Sequence, residues 1–556
     1  MDVEKAPCAR PTLTPIGIAI AIGDDEQAQT DTEPSTTTAG PTAAPGIAPW
    51  KLVSLYSSIC IGLFLSFLDA SIIATAIYTI GVEFHSLPKV NWIALSYALA
   101  YVGCTAIFAS LSDVVGRRNA YVAAFVIFLT FSLGCGFAQS LDQLIAMRAL
   151  QGVGGSGLYS VGFVILTEIA SPRMSGMIGA LAGTIIAMSG ILGPVLGGVI
   201  TNYASWQWVF WVNAPVGIIP LILFVKAWSD EAQIRGSQRR SFRQVDILGF
   251  LLLVASSVPF VLAFQQAGIH ILLDSNVWSS ALFVTPLAVS VLCFVALFAW
   301  EWFVARRWPD TIGALFPMRL AKNRVYMSAV MTTMLTGFPY FFIIYSLPMR
   351  FQVVNRKSAI VSGIALLPML GASAIGTTIA GAASSKKNNT FFINVIGAAL
   401  MLVGAASLSS LDNTLAPQAR AYALQIFLGL GFGLTVSNST LLATVEAERR
   451  DIAVAQGIMA QVRVLGGSIG IAASTAILGV RQRRQLLDPM IVSAAQLESL
   501  AESVHNLPPD AVLAVRQAYT DAFNETLVVC SFVSGVALLA SLAAWRKKPT
   551  VMEIRR

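Results

Sequence analysis

From Leu52 onward the chain is a succession of fourteen apolar segments parted by short polar connectors. Crossing a bilayer as a helix takes about 20 apolar residues. Windows of that kind centre in residues 52–78, 90–112, 119–139, 142–168, 174–202, 206–228, 245–266, 279–305, 325–350, 358–381, 391–409, 418–444, 455–480 and 520–545. Hydrocarbon offers no partner to a backbone N–H or C=O, so each segment must satisfy its own groups, and a helix does this. Composition agrees: 56% of the 556 residues are hydrophobic and 12% are charged, too few charges to clothe a soluble surface of that size. The expected fold class is an all-α polytopic membrane protein with 14 transmembrane helices.

Charge placement orients the spans. An even number of crossings puts both ends on one side. The connectors of that side carry Arg117-Arg118, Arg173, the run Arg235 to Arg243, Arg306-Arg307 with Arg319, Lys322 and Arg324, Lys386-Lys387, Arg449-Arg450 and Arg546-Lys547-Lys548. Connectors 3–4, 5–6 and 7–8 carry no Lys or Arg, so the positive-inside bias predicts cytoplasmic termini. Arg481, Arg483 and Arg484 break the pattern, in what reads as a long outer loop after span 13. The net charge of +7 belongs to this topology and does not point to nucleic acid. Residues 1–48, rich in Pro, Thr, Ala and acidic residues, read as a disordered cytoplasmic tail. Within it the apolar run Ile16 to Ile22 is short, and Asp24-Asp25-Glu26 follows without a small-residue cleavage pattern, so targeting by the first span is expected.

Several chemistries are disfavoured. Six singly scattered cysteines and three histidines without HExxH or CxxC spacing give neither a disulfide frame nor a metal site. Gly152-Val-Gly154-Gly155-Ser156-Gly157 imitates a phosphate loop but follows no strand and lacks Lys-Ser/Thr, so helix packing explains it better and no ATP site is expected. No cofactor and no enzymatic activity are expected. Three glycosylation sequons begin at Asn388, Asn438 and Asn524, and only Asn524, at the edge of span 14, has an arguable location.

Span 5 carries a second constraint. Gly176, Gly183, Gly190 and Gly197 recur every seventh residue, with Gly179 and Gly193 between them, and Pro194 and Gly198 beside them. In lipid such a side-chain-free stripe lets another helix approach closely, and Pro194 favours a bend. Gly190, Gly193, Pro194, Gly197 and Gly198 are therefore expected to form a helix-packing pivot that seals the outer half against the opposite bundle. Its repeat partner is Gly466-Gly467-Ser468-Ile-Gly470 in span 13.

That pairing belongs to an internal repeat. Ala109 to Asn119 after span 2 has a degenerate copy in Gly381 to Asn388 after span 10. Thr167-Glu168 through Arg173 is echoed by Val445-Glu446 through Arg449-Arg450. Spans 1–6 and 9–14 thus read as two copies of one unit, with spans 7 and 8 inserted, an architecture transporters use to bind substrate between the halves. The expected domains are the tail, an N-terminal bundle over 49–228, a cytoplasmic linker over 229–244, the inserted helices over 245–306, a loop over 307–324, a C-terminal bundle over 325–545 and a basic tail over 546–556.

Four ordered motifs carry a family resemblance. Asp113-Val-Val-Gly116-Arg117-Arg118 resembles the loop 2–3 signature of the major facilitator superfamily, and Arg148-Ala-Leu-Gln151-Gly152 its span 4 motif. Gly193-Pro194-x-x-Gly197-Gly198 resembles the span 5 antiporter motif, with Ala180 and Ser189 at two usual Gly positions. Leu68-Asp69-Ala-Ser-Ile-Ile-Ala-Thr-Ala resembles the span 1 motif of the fourteen-span drug:proton antiporter family, and Trp206 to Pro215 is similar to its span 6 start. The flavour is that of fungal exporters of drugs, toxins or secondary metabolites. The resemblance implies two six-helix bundles plus two inserted helices, and proton-coupled efflux of amphipathic organic compounds across the plasma membrane, with the vacuolar membrane as the alternative. A small-molecule substrate, protons and the lipid bilayer are then the partners, with no nucleic acid, and the chain is expected to be monomeric. Alternative readings are a siderophore or nutrient importer of the same fold, and a non-transporting membrane sensor.

Charges within lipid mark the working residues. Asp69 lies about 26 Å along span 1 and Arg148 about 9 Å from the outer end of span 4, depths at which they can meet. Either charge alone costs at least about 2.5 kcal/mol, so pairing is expected, with Asp69 as a proton or cation site tuned by Arg148. A static ion pair is the competing reading. Asp113, Gly116, Arg117, Arg118 and Glu168 are expected at the cytoplasmic mouth as a gate whose charges re-pair between two states, or as topology determinants only. Candidate cavity residues are Tyr97, Gln151, Asn394, Gln425, Asn438 and Arg463, with the aromatics Phe338, Tyr340 and Tyr345. Arg463 either favours anionic substrate groups or reaches lipid headgroups.

Overall fold

The computed structural model describes residues 49–169, 175–228, 245–271, 276–307, 315–384, 388–448, 452–487 and 509–547. The tails, Arg173, the run Arg235 to Arg243, Lys386-Lys387 and Arg449-Arg450 lie wholly or largely outside those residues. Among the described residues, fourteen helices are long and apolar enough to cross a membrane. Spans 1 to 6 are Trp50–Glu83, Trp92–Val115, Arg117–Gly136, Leu141–Leu166, Thr184–Tyr203 and Trp208–Ala227. Spans 7 and 8 are Ile247–His270 and Ala281–Arg307. Spans 9 to 14 are Arg324–Val353, Ala359–Ala383, Thr390–Leu408, Ala419–Glu446, Val454–Leu486 and Asp510–Leu542.

Local chemistry sets several boundaries. Gly116 makes the sharp turn between spans 2 and 3 at φ 98°, a conformation that a side chain disfavours. Asn323 caps span 9, its Oδ1 accepting from the backbone N–H of Val325 at 3.1 Å, and Asp246 caps span 7 by accepting from Gly249 N–H at 2.8 Å. The connector after span 13 differs from expectation. Its helix runs on through Gln482 into a wider π-type stretch over Arg483–Leu487, and span 14 starts at Asp510, ten residues before the expected window. Arg481 pairs with Glu525 of span 14 at 2.6 Å and Arg483 donates to the Ile271 carbonyl at 2.8 Å, so these residues join helices instead of floating in a loop. The same shift moves Asn524 from the edge of a span into the body of a helix, where its amide donates to the Leu411 carbonyl at 2.7 Å.

Two bundles result, built alike. In spans 1–6, span 5 lies so close on span 1 that a Cβ at Gly193 would sit 2.8 Å from Ser71 Cβ and 2.9 Å from Ile72 N. Span 13 repeats the contact on span 9, Gly466 resting on the Met334 carbonyl and Gly470 on that of Phe338. Only glycine permits such backbone approach. Span 7 lies across one side of the seam, Val254 against Gly103 of span 2 and Gly268 against Thr475 and Ala476 of span 13. Span 8 leans on span 7, Ser290 donating to the Ser256 carbonyl at 2.5 Å, and turns Leu292, Val295 and Phe298 outward, as a lipid-facing helix does.

The halves meet chiefly at the end remote from Pro49 and Trp545. There one apolar cluster includes residues of both bundles, among them Ile77, Val90, Trp206, Phe342, Leu347 and Phe351. Tyr345 donates to the Ala70 carbonyl at 2.5 Å, Gln352 to that of Thr75 at 3.3 Å, and Asn91 to Thr475 Oγ1 at 2.8 Å. Toward the terminal end the bundles keep separate clusters. The one around Tyr121, Phe125 and Phe224 touches the second bundle through Ala460 and Val464, and the one around Tyr326, Leu442 and Met459 stays within spans 9–14 and their flanks.

Candidate functional site: a buried ion network beside the seam

Five helices of the first bundle, spans 1, 2, 3, 4 and 6, meet in a network around Asp69. Its Oδ2 forms an ion pair with Arg148 Nη1, and both side chains have no exposed surface. Oδ1 accepts from Gln151 Nε2 at 2.8 Å and from Asn213 Nδ2 at 2.9 Å. Gln151 turns its carbonyl the other way, accepting from Arg148 Nη1 at 2.8 Å, so each end of the amide faces the charge that suits it. Arg148 Nε donates to the Ile93 carbonyl at 3.2 Å, and its guanidinium lies 4.3 Å from the centre of the Tyr97 ring. Span 3 contributes Ser132, which accepts from Asn213 at 3.0 Å.

The location explains why so many groups are needed. Two lone charges here would each cost at least about 2.5 kcal/mol. Excellent geometry and further hydrogen bonds are what make a buried pair tolerable. Next in sequence to Asp69, the Ala70 carbonyl receives the Tyr345 hydroxyl of the opposite bundle, so the network lies one residue from a bond that crosses the seam.

At the terminal end, Arg117 joins two carboxylates. It pairs with Asp113 and, in a forked contact through Nη2 at 2.8 Å and Nε at 3.1 Å, with Glu168. Gly116 supplies the turn that delivers Arg117, while Arg118 points outward and has no ion pair among the described residues. These side chains are partly exposed, a setting in which ion pairs re-form cheaply.

Span 5 divides its glycines between two partners. Gly193 and Gly197 face span 1 of their own bundle, against Ser71, Ile72 and Thr75. Gly198 faces the start of span 10, where a Cβ would lie 2.8 Å from both the Ala359 carbonyl and Ile360 Cα, and the Pro194 carbonyl rests on Gly363. Close cross-bundle contact belongs to Gly198 and Pro194, with Gly190 more loosely set against Tyr340 and Leu370 of the second bundle, and not to Gly193 or Gly197.

The polar cavity candidates scatter. Gln151 and Tyr97 belong to the ion network, Tyr97 also donating to the Ser66 carbonyl at 3.0 Å. Gln425 donates to the Ala365 carbonyl at 2.8 Å and Asn438 to that of Thr390 at 3.0 Å, contacts within the second bundle; Asn394 is buried in span 11. Arg463 is 9% exposed and donates to Ser439 at 3.0 Å, so it does not reach toward headgroups. Asn213 joins the network from the Trp206 to Pro215 stretch without being an expected site residue; its signal in the sequence is an amide in a largely apolar span. Tyr345, expected as a cavity aromatic, instead spends its hydroxyl on a bond across the seam, which nothing in the sequence signals.

Fold and site together define a class, a polytopic membrane transporter built from two six-helix bundles. The model of the Major Facilitator Superfamily matches residues 59–471, and the chain belongs to that superfamily. Among its relatives, an MFS-type transporter of Fusarium mangiferae, FPY5, is 30% identical over 90% of this chain and 84% of its own length. An MFS-type efflux pump of Pseudozyma antarctica, MMF1, is 29% identical over 86% and 87%. A dehydrocurvularin exporter of Alternaria cinerariae is 28% identical over 88% and 82%. The fold is shared with a bacterial homologue of the human lysosomal transporter Spinster, at TM-score 0.60 and 14% identity over 90% of this chain and 100% of that one.

Proposed function

We propose that this transporter exports amphipathic organic compounds across the plasma membrane by alternating access, driven by protons that bind at Asp69. One observation carries the reading: a fully buried carboxylate, saturated by Arg148, Gln151 and Asn213, sits one residue from the Tyr345 bond between the halves. Rocking of the bundles strains that bond and with it the geometry around Asp69. A carboxylate pulled from its arginine takes a proton; one returned to it releases the proton. Arg117, with Asp113 and Glu168, serves as the latch that closes the terminal end in one state and yields in the other. The names borne by the pump and exporter relatives support outward transport, and the basic residues of the terminal-side connectors support cytoplasmic termini.

The test is counterflow in proteoliposomes loaded with a pH-sensitive dye and a fluorescent amphipathic probe. Asp69→Asn is expected to abolish probe-linked proton movement while probe exchange persists. Unchanged coupling in that variant removes Asp69 from the mechanism.

A further inference from the structure

Three arginines are buried among the described residues, Arg148, Arg350 and Arg463; Asp69 answers the first and Asp412 lies near the second, whose guanidinium donates to the Asp412 carbonyl at 2.9 Å. Arg463 has only the Ser439 hydroxyl, and its Nε meets no partner. No carboxylate among the described residues acts on it. The groups within electrostatic reach are the hydroxyls of Tyr101, Tyr159 and Tyr340. Tyr101 is 4% exposed, and its hydroxyl likewise meets no partner. A lone guanidinium and an orphaned hydroxyl, both buried, are deficits that the folded chain leaves open.

Their position is at the seam. Tyr101 and Tyr159 come from spans 2 and 4 of the first bundle, while Tyr340, Ser439 and Arg463 come from spans 9, 12 and 13 of the second. Aromatic surface lies on both sides: Tyr101 and Tyr159 have ring centres 6.1 Å apart, and Tyr340 lies flat on Phe432 at 3.4 Å. Gly190 of span 5 keeps a side-chain-free surface against this group, and a Cβ there would meet Tyr340 Oη and Leu370 Cδ2 only at ordinary contact distance, 3.8 Å each.

We infer that Arg463 and the Tyr101 hydroxyl form the binding point for the anionic head of an aromatic organic acid, a carboxylate or phenolate, whose ring lies among the tyrosines of the seam. Such a head accepts from Nε, accepts from the free hydroxyl and neutralises the buried cation together. A neutral substrate can answer the hydrogen bonds but leaves the charge; a cationic one is repelled. The inference deepens the export reading by giving its substrate class and rests on that reading for the direction of transport. Tyr97 ties the two sites, lying under Arg148 and 6.2 Å from Tyr101 between ring centres.

The test uses the full chain in lipid nanodiscs at neutral pH, with pyrenebutyrate and its neutral amide as probes read by fluorescence anisotropy. The wild type is expected to bind the acid at least about tenfold tighter than the amide, equivalent to about 1.4 kcal/mol. Arg463→Gln should erase that preference, weakening the acid at least about tenfold more than the amide. Arg463→Lys, which keeps the charge but not the forked donors, should keep part of it, and Tyr101→Phe should weaken the acid more than the amide, because a hydrogen bond to an ionised acceptor is the stronger one. A wild type that prefers neither probe, or binds neither, overturns the inference, as does a preference surviving in Arg463→Gln. Should Asp69→Asn leave proton coupling intact, the export mechanism fails while this binding preference stands; the reverse outcome fails the anion site alone.

Discussion

Neutralising one member of the Asp69–Arg148 pair should cost far more than neutralising both. Asp69→Asn leaves a guanidinium with no exposed surface and only the Ile93 carbonyl and Gln151 Oε1 as acceptors, while the new amide turns a donor toward it or loses Gln151 and Asn213. Breaking a buried pair in this way typically costs about 3–5 kcal/mol. Arg148→Met leaves the opposite charge, but the remedies differ. An arginine cannot shed its proton in a protein, whereas a carboxyl can take one up and become neutral. The Arg148→Met penalty should therefore shrink as pH falls, and the Asp69→Asn penalty should not. In Asp69→Asn with Arg148→Met, no buried charge is left, the amide still accepts from Gln151 and Asn213, and stability should return to within about 1–2 kcal/mol of the wild type, a coupling of at least about 2 kcal/mol. The assay is denaturant unfolding of the purified protein in one detergent, across a pH series. Additive losses in the double variant, or two single penalties that follow pH alike, refute the reasoning, because either result means that the two charges are already screened or solvated.

The remaining predictions concern the two ends of the seam. Gly198→Leu drives a side chain into the Ala359 carbonyl and Ile360 Cα of span 10, and is expected to leak protons through a protein that still inserts and purifies normally; Gly193→Leu, directed at Ser71 and Ile72 of its own bundle, is expected to lower folded yield instead. Equal leak from both, measured by dye acidification of liposomes, would show that span 5 does not divide its duties as argued. Asp113→Asn removes one of the two carboxylates on Arg117, a partly exposed contact worth about 1 kcal/mol, so transport should fall by about fivefold while probe affinity is unchanged. Full transport at equal expression would reduce this cluster to a topology signal.

What was legible in the sequence followed from one rule, that lipid forgives neither a bare backbone nor a bare charge. Fourteen spans followed from the first clause, and the meeting of Asp69 with Arg148 from the second, because depth along two helices can be counted at 1.5 Å per residue. Gln151 shows where this stops. An amide in a span announces that it needs a partner, not which one, and Gln151, Gln425 and Asn438 look alike in sequence; one completes the ion network and the other two fasten helices of the second bundle. Span 14 shows the same limit in another form. Hydropathy marks where lipid begins, not where a helix begins, so the stretch bearing Asp510, Arg516 and Gln517 reads as loop although it is helical.

The glycines of span 5 carry the point to mechanism. A heptad of glycines declares a smooth face, and one smooth face suggests one partner. Successive residues of a helix, however, point about 100° apart, so Gly197 and Gly198 cannot serve the same neighbour. Gly197 lies over Ile72 and Thr75, within a turn or two of Asp69, and Gly198 lies against the first turn of span 10 in the opposite bundle. Span 5 is thereby wedged between the helix that holds the ion site and the helix across the seam. Any rocking that slides span 10 past Gly198 must be taken up either at that contact or at the Gly193 and Gly197 contacts with span 1. A backbone interface without interlocking side chains at both surfaces lets the helix yield on one side while keeping register on the other. In the rocking mechanism proposed above, it is the adjacent glycine pair, more than the seven-residue period, that would link closure of the seam to the charge buried beside it.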